Sequence, residues 1–402
     1  MTLERERDNQ GWVYDLMVKM TGRTHNFAYD HRDLPPEVKS HAMIPRVMER
    51  QARPIQALAD EAEARGERET ALALYCQALQ PYHLAQHAIY RDDDQEKVYL
   101  HAQLQRCFAG AIRNAEYQVE KVEIPFEGGS IEAYFHLVPG SEPRPALVYC
   151  PGMDQTKESY PRPHDNHFLK RGMHVLSIDG PGQGMSNMRK LRLTLDNYER
   201  AGQAAIDWLC ARPEVDPARI GVFGSSMGSH WATQIAATDS RVKAVATSFA
   251  CYTGKHLLFD VASPRFKRIF MYMTGIHDEV EFDHFADAYT LDEYFKRLDR
   301  RVLMVHGEYD PLSDLDEALK LYELIPGNKE FWIVENDFHM PLGRRNFGGL
   351  DIYHFLADWL RASLNAPPAP PSRREVIVAD SSSLGPYGAQ MLDHRLPGRL
   401  GV

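Results

Sequence analysis

Cysteine is scarce in this sequence, with five residues among 402, at positions 76, 107, 150, 210 and 251. They are scattered, their number is odd, and no two form a Cys-x-x-Cys pair, so we expect reduced thiols and no structural zinc site. Long hydrophobic runs are also missing, since no stretch approaches the roughly 18 apolar residues of a membrane-spanning helix. Together with the charged residues 1–8, this predicts a cytoplasmic protein.

Positive charge is in deficit. The chain has 46 Lys and Arg residues against 56 Asp and Glu residues, which gives a net charge of −10, and the basic residues form no stripe. Nucleic acids and anionic membrane surfaces bind through clustered positive charge, so neither is an expected partner.

The length favours two domains, because 402 residues exceed what one hydrophobic core usually holds. Residues 1–115 contain no strand pattern, which predicts a helical cap domain. Helical patterns occur there at residues 11–20, 52–65, 68–90 and 95–113.

Strands and helices alternate over residues 116–365, which predicts an α/β catalytic domain with a doubly wound, mainly parallel sheet. The sheet begins with an antiparallel hairpin, because residues 122–126 and 131–135 alternate apolar and polar side chains around a Gly-Gly turn. Residues 251–300 interrupt the alternation and are aromatic and helical in pattern, so we expect a second part of the lid there. The Pro-rich residues 366–402 are expected to be either disordered or an arm on a partner subunit.

The segment Gly224-Ser225-Ser226-Met227-Gly228 places a serine between two glycines, directly after an apolar run typical of a buried strand. A Gly-x-Ser-x-Gly turn between strand and helix is a nucleophile elbow. The serine there has a strained backbone, and the residues two before and two after it have almost no side chain. Ser226 is therefore the candidate nucleophile. The alternative interpretation is a Gly-Ser turn with a purely structural serine.

A serine hydroxyl needs a base and a group that orients the base, and chains with this elbow supply them in the order Ser, Asp or Glu, His. The strand candidate at residues 301–306 runs into a loop with two carboxylates, Glu308 and Asp310. We choose Asp310, which lies deeper in the loop and precedes a proline, and expect Glu308 to be solvated or to support the site indirectly. After the next strand candidate, His339 is the only histidine of its loop, which makes it the predicted base.

Backbone N–H groups must also stabilise the oxyanion of a tetrahedral intermediate. One N–H comes from Met227, directly after the nucleophile. The second is expected in the loop that follows the strand candidate at residues 146–150, where Gly152 allows a close backbone approach. We assign the N–H of Met153, with that of Asp154 next. This chemistry uses no metal ion or cofactor, and none is expected.

These motifs, with the loop at residues 150–158, the loop at residues 307–310 and the helical segment at residues 79–111, resemble one branch of the α/β-hydrolase superfamily. The branch contains 2,6-dihydroxypseudooxynicotine hydrolase, fungal hydrolases that shorten naphthopyrones, and esterases. The resemblance spans about residues 70–365 and implies a triad of Ser226, Asp310 and His339. It also implies cleavage of a carbon–carbon bond between a carbonyl and an electron-rich ring, under a helical cap, in a homodimer.

Substrate contacts are less well defined by the sequence. Pro81 interrupts the helical pattern of residues 68–90 and predicts a kink or an end of the helix at Gln80. The resemblance also implies a carboxylate near the substrate. The candidate contacts are Tyr82, His83 and His87 on the cap, Asp154, Lys157, Glu158, Tyr160, His164 and His167 after the third strand, and Asp260 or Glu279 in the insertion.

Several functions fit the same triad. A carbon–carbon hydrolase for aromatic or polyketide-like ketones is our first interpretation, and a carboxylesterase or amidase is the second. A lyase or acyltransferase that excludes water is the third, and a binding protein on an enzyme scaffold the fourth. The intact order of Ser, Asp and His argues against the last, because a binding protein needs none of the three.

Overall fold

The computed structural model describes residues 34, 35, 37, 38, 40–252, 255–339, 345–379 and 384–390. The helical pattern expected at residues 11–20 lies outside the described residues. Residues 253 and 254 of the expected lid insertion and residues 380–383 and 391–402 of the tail also lie outside them.

Nine strands form one sheet. In chain order they are β1 (Val119–Phe126), β2 (Gly129–His136), β3 (Arg144–Cys150), β4 (His174–Ile178), β5 (Val215–Ser225), β6 (Val242–Ser248), β7 (Arg301–Gly307), β8 (Lys329–Val334) and β9 (Arg373–Val378). Across the sheet the order is β1-β2-β4-β3-β5-β6-β7-β8-β9. Strand β2 is antiparallel to β1 and β4, and every later neighbouring pair is parallel. The prediction of a mainly parallel sheet with an antiparallel start is confirmed, although the sequence analysis did not identify β6.

The α-helices of the described residues are α1 (Ile44–Ala64), α2 (Arg68–His87), α3 (Gln95–Asn114), α4 (Gly184–Met188), α5 (Asn197–Cys210), α6 (Met227–Thr238), α7 (Pro264–Thr274), α8 (Glu279–Ala288), α9 (Asp292–Phe295), α10 (Leu315–Glu323) and α11 (Ile352–Asn365). A π-helical turn, His256–Val261, precedes α7. Residues 255–295 are therefore largely helical, as expected for the insertion. Nowhere in the ranges that the structure describes is a helix long and apolar enough to cross a membrane.

The central strands are buried on both faces. Val222 of β5 packs in the core that contains Ile206 of α5 and Trp231 of α6, whereas the next residue, Phe223, packs in the core that contains Leu356 of α11. Strands covered on both faces carry continuous apolar runs instead of alternating ones, which is why the sequence around the elbow indicated a buried parallel strand.

Helices α1, α2 and α3 pack against one another and form a hydrophobic core of their own. We call these three helices the helical layer. The contact is close: a Cβ atom on Gly110 of α3 would lie 2.6 Å from the ring of Tyr75 on α2. This core also includes Val119 and Tyr134 of the first two strands, so the helical layer rests on the antiparallel end of the sheet.

The expectation that the helix ends at Gln80 is wrong, because α2 continues to His87 with Pro81 in its interior. The alternative, a kink at Pro81, stays a prediction. A proline costs an interior helical hydrogen bond. Here the residues on both sides of Pro81, including Leu79 and Tyr82, are buried in the core of the helical layer. Burial of these residues outweighs the local tendency of proline to end a helix.

The expectation of a disordered tail or an arm on a partner subunit is wrong for residues 373–378. They form β9, which pairs parallel to β8 of the same chain. Val376 and Val378 are fully buried in the core on the α11 face of the sheet. These residues therefore form an edge strand of the chain's own sheet, and their apolar side chains pack in its core.

Candidate active site

The parallel strands end at one edge of the sheet, and that edge carries the predicted catalytic residues. The register aligns Cys150 of β3 with Gly224 of β5, Ser225 of β5 with Ser248 of β6, and Gly307 of β7 with Val334 of β8. The loops that follow β3, β5, β6, β7 and β8 therefore meet at this edge.

Ser226 stands between β5 and α6 with φ 56° and ψ −128°, a backbone conformation that residues with a side chain rarely adopt. The two glycines make this turn possible. A Cβ atom on Gly224 would lie 2.1 Å from the carbonyl oxygen of Gly228, and one on Gly228 would lie 2.0 Å from that of Cys150. The Ser226 N–H donates to the Ser248 carbonyl oxygen at 3.0 Å, which fixes the turn against β6.

Ser226, His339 and Asp310 form one chain of hydrogen bonds. Ser226 Oγ lies 2.8 Å from His339 Nε2, and His339 Nδ1 lies 2.8 Å from Asp310 Oδ2. A carboxylate only accepts, so Nδ1–H donates to Asp310 and Nε2 is left to accept from the serine hydroxyl. The other oxygen of Asp310 accepts from the Leu312 N–H at 2.8 Å.

The electrostatic environment of His339 favours its charged form. Burial is the largest single effect and opposes an imidazolium, but the Asp310 carboxylate and the nearby Cys251 act against burial and their sum exceeds it. Together they raise the pKa of His339 well above its usual value of 6.5.

The loops after β7 and β8 are joined closely, which sets the distance between Asp310 and His339. A Cβ atom on Gly307 would lie 2.1 Å from the carbonyl oxygen of Phe338, and the Tyr309 N–H donates to Asp337 at 2.9 Å. Glu308 is buried, and its carboxylate accepts from the Asn336 N–H at 2.9 Å. Glu308 is therefore not solvated but links the two loops.

The loop after β3 lies against the elbow, since a Cβ atom on Gly152 would be 3.3 Å from Ser226 Cβ. Met153 and Met227, the predicted oxyanion donors, are both buried, and within the described ranges neither N–H donates to another protein group.

Two glutamines that the sequence analysis missed hold this loop. The Gln183 side-chain amide donates to the carbonyl oxygens of Pro151 and Gly152 at 3.1 and 2.8 Å, and Tyr198 Oη donates to Gln183 at 2.6 Å. Gln155 Oε1 accepts from the Gly152 N–H at 3.2 Å. Gln183 lies in the turn at residues 179–184, so this turn supports the loop after β3.

A third missed residue is Cys251, which follows β6. Its Sγ lies 3.7 Å from Ser226 Oγ and 3.8 Å from His339 Nε2. The signal was not readable in the sequence, because β6 itself was not identified and the cysteine belongs to no motif.

The side chains of Lys157 and Glu158 are enclosed in the protein interior, contrary to their assignment as substrate contacts. Both are fully buried, and Lys157 Nζ lies 2.8 Å from Glu158 and 2.8 Å from Asp179. Glu132 lies 3.3 Å from the same ammonium. The loop motif that includes these residues therefore builds an internal ion cluster.

Tyr82 is a core residue, contrary to its assignment as a substrate contact, whereas Tyr160 is half-buried and packs against the core on the α11 face of the sheet. Tyr82 is buried in the helical layer and donates to Gln56, and Tyr160 stacks on Tyr353 with the ring centroids 4.4 Å apart. Large aromatic side chains in loops and helices carry no sequence mark that separates a pocket wall from a core.

The remaining candidates fall at different places. His83 Nε2 contacts the Asp154 carbonyl oxygen, and the Asp154 carboxylate lies 3.5 Å from Arg265 on α7. These contacts link the loop after β3 to the helical layer and to the insertion. Asp260 is half-buried in the π-helical turn, and Glu279 pairs with Lys267 at 3.3 Å. His164 and His167 lie in the segment between β3 and β4, where the His167 ring contacts that of His354.

A cavity of about 30 Å³ lies where the helical layer, the insertion and the loop after β3 meet. Its walls are rich in amide and aromatic side chains. Its lining includes Gln86, His87, Tyr90, Lys97, Met153, Gln155, Gln183, Asn187, Ile269, Tyr272 and Met273. Burial lowers the pKa of the Lys97 ammonium to about 7, and Lys97 donates to the Gln86 and Ile89 carbonyl oxygens at 3.0 and 2.9 Å. Among the residues described, no three His, Cys, Asp or Glu side chains are grouped to hold a metal ion.

A family model described as "Esterase FrsA-like" matches residues 50–291, more than half of the chain. The chain is 28% identical over 221 residues to a 2,6-dihydropseudooxynicotine hydrolase of Paenarthrobacter nicotinovorans, covering 54% of this chain and 58% of that protein. It is 32% identical over 228 residues to hydrolase LUC6 of a Fusarium species, covering 54% and 52%, and 32% identical over 124 residues to esterase FrsA of Vibrio vulnificus, covering 31% and 29%. The chain thus spans between 29% and 58% of the length of these relatives.

Among solved structures, the 2,6-dihydroxy-pseudo-oxynicotine hydrolase is similar with a TM-score of 0.71 and 22% identity, covering 89% of this chain and 98% of that chain. This likeness establishes the fold. The predictions of an α/β-hydrolase fold with an N-terminal helical region, and of a resemblance to this branch, are confirmed.

Proposed function

The chain belongs to the FrsA-like esterase family, and on that basis we propose that it is a serine hydrolase. In this proposal Ser226 is the nucleophile, His339 is the general base, and Asp310 orients the base. The observation that carries the proposal is the hydrogen-bond chain from Ser226 Oγ through both ring nitrogens of His339 to Asp310, with 2.8 Å at each step.

The reaction begins when His339 Nε2 takes the hydroxyl proton while Ser226 Oγ attacks a carbonyl carbon. The N–H groups of Met153 and Met227 are the proposed donors to the oxyanion, a contribution of about 3 kcal/mol for each donor in comparable sites. Collapse of the tetrahedral intermediate expels the leaving group, which receives the proton held by His339. Water then attacks the acyl-serine, with His339 again acting as the base.

For the substrate, we propose an aromatic or polyketide-like ketone whose carbon–carbon bond between the carbonyl and the ring is cleaved. One relative, named a 2,6-dihydropseudooxynicotine hydrolase, supports this class. The cavity beside Met153 supports it as well, because its amide and aromatic walls suit a polar ring. A carbanion leaves only if the ring is protonated at or before cleavage, so the substrate must carry an electron-rich ring.

A carboxylesterase or amidase is the main rival, and the esterase relatives favour it. Its leaving group is an alkoxide or an amine, which the same histidine protonates. A lyase or acyltransferase would use the same serine and pass the acyl group to an acceptor other than water. Product formed in ¹⁸O-labelled water separates the last class, since only hydrolysis places solvent oxygen in the carboxylate.

The organisation of the chain remains a proposal. We propose that residues 1–115 form a cap, residues 116–365 the catalytic domain with residues 251–300 as part of the lid, and residues 366–402 a C-terminal segment. We also propose a homodimer and a cytoplasmic location.

Turnover of two matched substrate panels tests the proposed function: p-nitrophenyl esters, and acyl-phloroglucinol-type aryl ketones. The wild type is compared with Ser226→Ala and with Ser225→Ala, which removes the neighbouring hydroxyl. We expect the wild type and Ser225→Ala to cleave aryl ketones at rates within about threefold of each other, and Ser226→Ala to lose at least about 10⁴-fold in kcat.

Turnover of esters alone would establish the esterase and overturn the carbon–carbon assignment. If the wild type cleaved members of either panel and Ser226→Ala did so equally fast, the triad assignment would be wrong.

A further inference from the structure

The thiol of Cys251 lies beside both reacting side chains of the proposed triad. Cys251 Sγ is 3.7 Å from Ser226 Oγ and 3.8 Å from His339 Nε2, within the range of hydrogen bonds that involve sulfur. Its backbone is held in place, because the Cys251 N–H donates to the Ser226 carbonyl oxygen at 3.3 Å. Cys251 Sγ and Ser226 Oγ thus both lie within hydrogen-bond distance of the same imidazole nitrogen, His339 Nε2.

A thiol in this position differs chemically from a second serine. Sulfur is intrinsically more nucleophilic than a hydroxyl oxygen, and a histidine at hydrogen-bond distance provides the base that converts thiol to thiolate. His339 is already oriented by Asp310, so a Cys-His-Asp arrangement exists next to the Ser-His-Asp arrangement.

We propose that Cys251 is a second nucleophile of this active site, served by the same His339 and Asp310, and that it accepts acyl groups when the Ser226 hydroxyl is absent. The proposal rests on the proposed function only for the role of His339 as base. Substrate must reach Ser226 Oγ, and Sγ lies directly beside that atom. Removal of Oγ therefore opens the space that an acyl carbon needs to approach the sulfur.

The step balances with a p-nitrophenyl ester as the acyl donor. His339 Nε2 takes the proton of the Cys251 thiol, and Sγ forms a bond to the carbonyl carbon. The bond from that carbon to the phenolic oxygen breaks, and p-nitrophenolate leaves with the electron pair. The product is a thioester on Cys251, which water hydrolyses to regenerate the thiol, with no change in oxidation state.

The other cysteines provide an internal contrast. Cys76, Cys107 and Cys150 are buried, and burial raises the pKa of Cys76 to about 11 and that of Cys107 to about 12. Cys210, at the end of α5, is half-buried, and burial raises the pKa of its thiol as well. Cys251 is buried as well, but its thiol lies within hydrogen-bond distance of the base His339. Acylation at neutral pH should therefore select Cys251.

The experiment uses p-nitrophenyl acetate and intact-mass measurement followed by peptide mapping. The proteins are the wild type, Ser226→Ala, Ser226→Gly, Cys251→Ala and the double variant Ser226→Ala/Cys251→Ala. Cys210→Ser in the Ser226→Ala background is the matched control. We expect one acetyl group per chain on Cys251 in both Ser226 variants, its removal by hydroxylamine, and its loss in the double variant. The Cys210 control should acetylate like Ser226→Ala.

Two results would overturn the proposal: no acetyl group on Cys251 in either Ser226 variant while Cys251→Ala turns over normally, or an equal adduct in the double variant. Ser226→Gly covers the case in which the alanine variant does not fold, since glycine readily adopts the positive φ of this position. Failure of the proposed function has a different signature, because the wild type would then form no acyl-serine whatever Cys251 does.

Discussion

Ser226 holds a positive φ of 56°, and the energetic cost of such a conformation is on the order of 1–3 kcal/mol. The surrounding residues keep it there: the N–H of Ser226 is bonded to β6, and Gly224 and Gly228 allow the backbone of the turn to approach β3 closely. The strain presents the hydroxyl to His339 at the edge of the sheet.

Gly228→Ala tests how tightly the elbow is packed. The new Cβ atom would lie 2.0 Å from the Cys150 carbonyl oxygen, so the backbone must move. We expect a loss of more than about 2 kcal/mol in the free energy of unfolding, measured by urea denaturation. Gly129→Ala is the control, since its Cβ would be 3.8 Å from the nearest atom, and there the change should be small. Equal stability of both variants would contradict the packing argument.

The pH dependence of kcat/KM tests the environment of His339. The base works only as neutral imidazole, and its pKa in the free enzyme is raised well above 6.5, with Asp310 as the main cause of the increase. The rate of ester hydrolysis should therefore rise with pH through a midpoint above 6.5. A midpoint at or below 6.5 would contradict the strong stabilisation of the imidazolium by Asp310.

At the residue scale, the sequence indicated which side chains come together when their position depends only on the strand that precedes them. Ser226, Asp310 and His339 each follow a parallel strand, and parallel strands deliver their carboxyl ends to one edge. Lys157, Glu158 and Tyr82 were misassigned, because polar and aromatic residue types do not reveal whether a side chain points into a cleft or a core. Cys251 was missed because strand β6 was not identified and the cysteine belongs to no motif.

Among the elements, the loop after β3 is anchored by the buried cluster of Lys157, Glu158, Asp179 and Glu132. Asp179 directly follows β4 and accepts from the Lys157 backbone N–H at 2.8 Å and from the Met185 N–H at 2.9 Å. The cluster therefore ties β2, β4, α4 and the loop with Met153 into one unit.

Lys157→Met tests this anchor. The substitution leaves the carboxylates of Asp179 and Glu158 buried without their ammonium, and we expect a loss of about 3–5 kcal/mol in the free energy of unfolding. Lys121→Met is the matched control, because Lys121 also contacts Glu132, at 3.2 Å, but is 49% exposed. The control should lose less than about 1 kcal/mol in urea denaturation. If the two variants were equally stable, the cluster would not anchor the loop.

The sequence predicted helices and strands correctly where a local pattern of side chains defines them. It failed where packing against distant parts of the chain determines the structure. The hairpin of β1 and β2 and the strands β4 and β8 follow directly from apolar and β-branched runs. Strand β9 was missed, since a short segment beyond a Pro-rich stretch gives no sign of its partner β8. Helix α2 runs through Pro81, because burial in the helical layer offsets a local cost of about 3 kcal/mol.

On the scale of the whole molecule, three parts of the chain meet at the cavity beside Met153: the helical layer, helix α7 and the loop after β3. The contacts of Asp154 with His83 and Arg265 join the same three parts. The sequence predicted that a helical region would cover the site, but not the lining, because the lining depends on how the layers face each other.

Tyr272→Ala tests whether this cavity holds the ring of the substrate. Tyr272 lines the cavity, so its removal should raise KM for aryl ketones by about tenfold. The kcat/KM for p-nitrophenyl acetate should change by less than about threefold, since a small acyl group does not need the wall. Tyr99→Ala, an exposed aromatic on α3, is the control and should change neither value. Equal effects on both substrates would place the ring elsewhere.

The central claim is that Ser226 is the nucleophile, and intact-mass measurement after treatment with a fluorophosphonate tests it most directly. The account predicts one phosphonyl adduct per wild-type chain, mapped to Ser226, and none on Ser226→Ala. An unlabelled wild type, or an adduct that persists in Ser226→Ala, would contradict it.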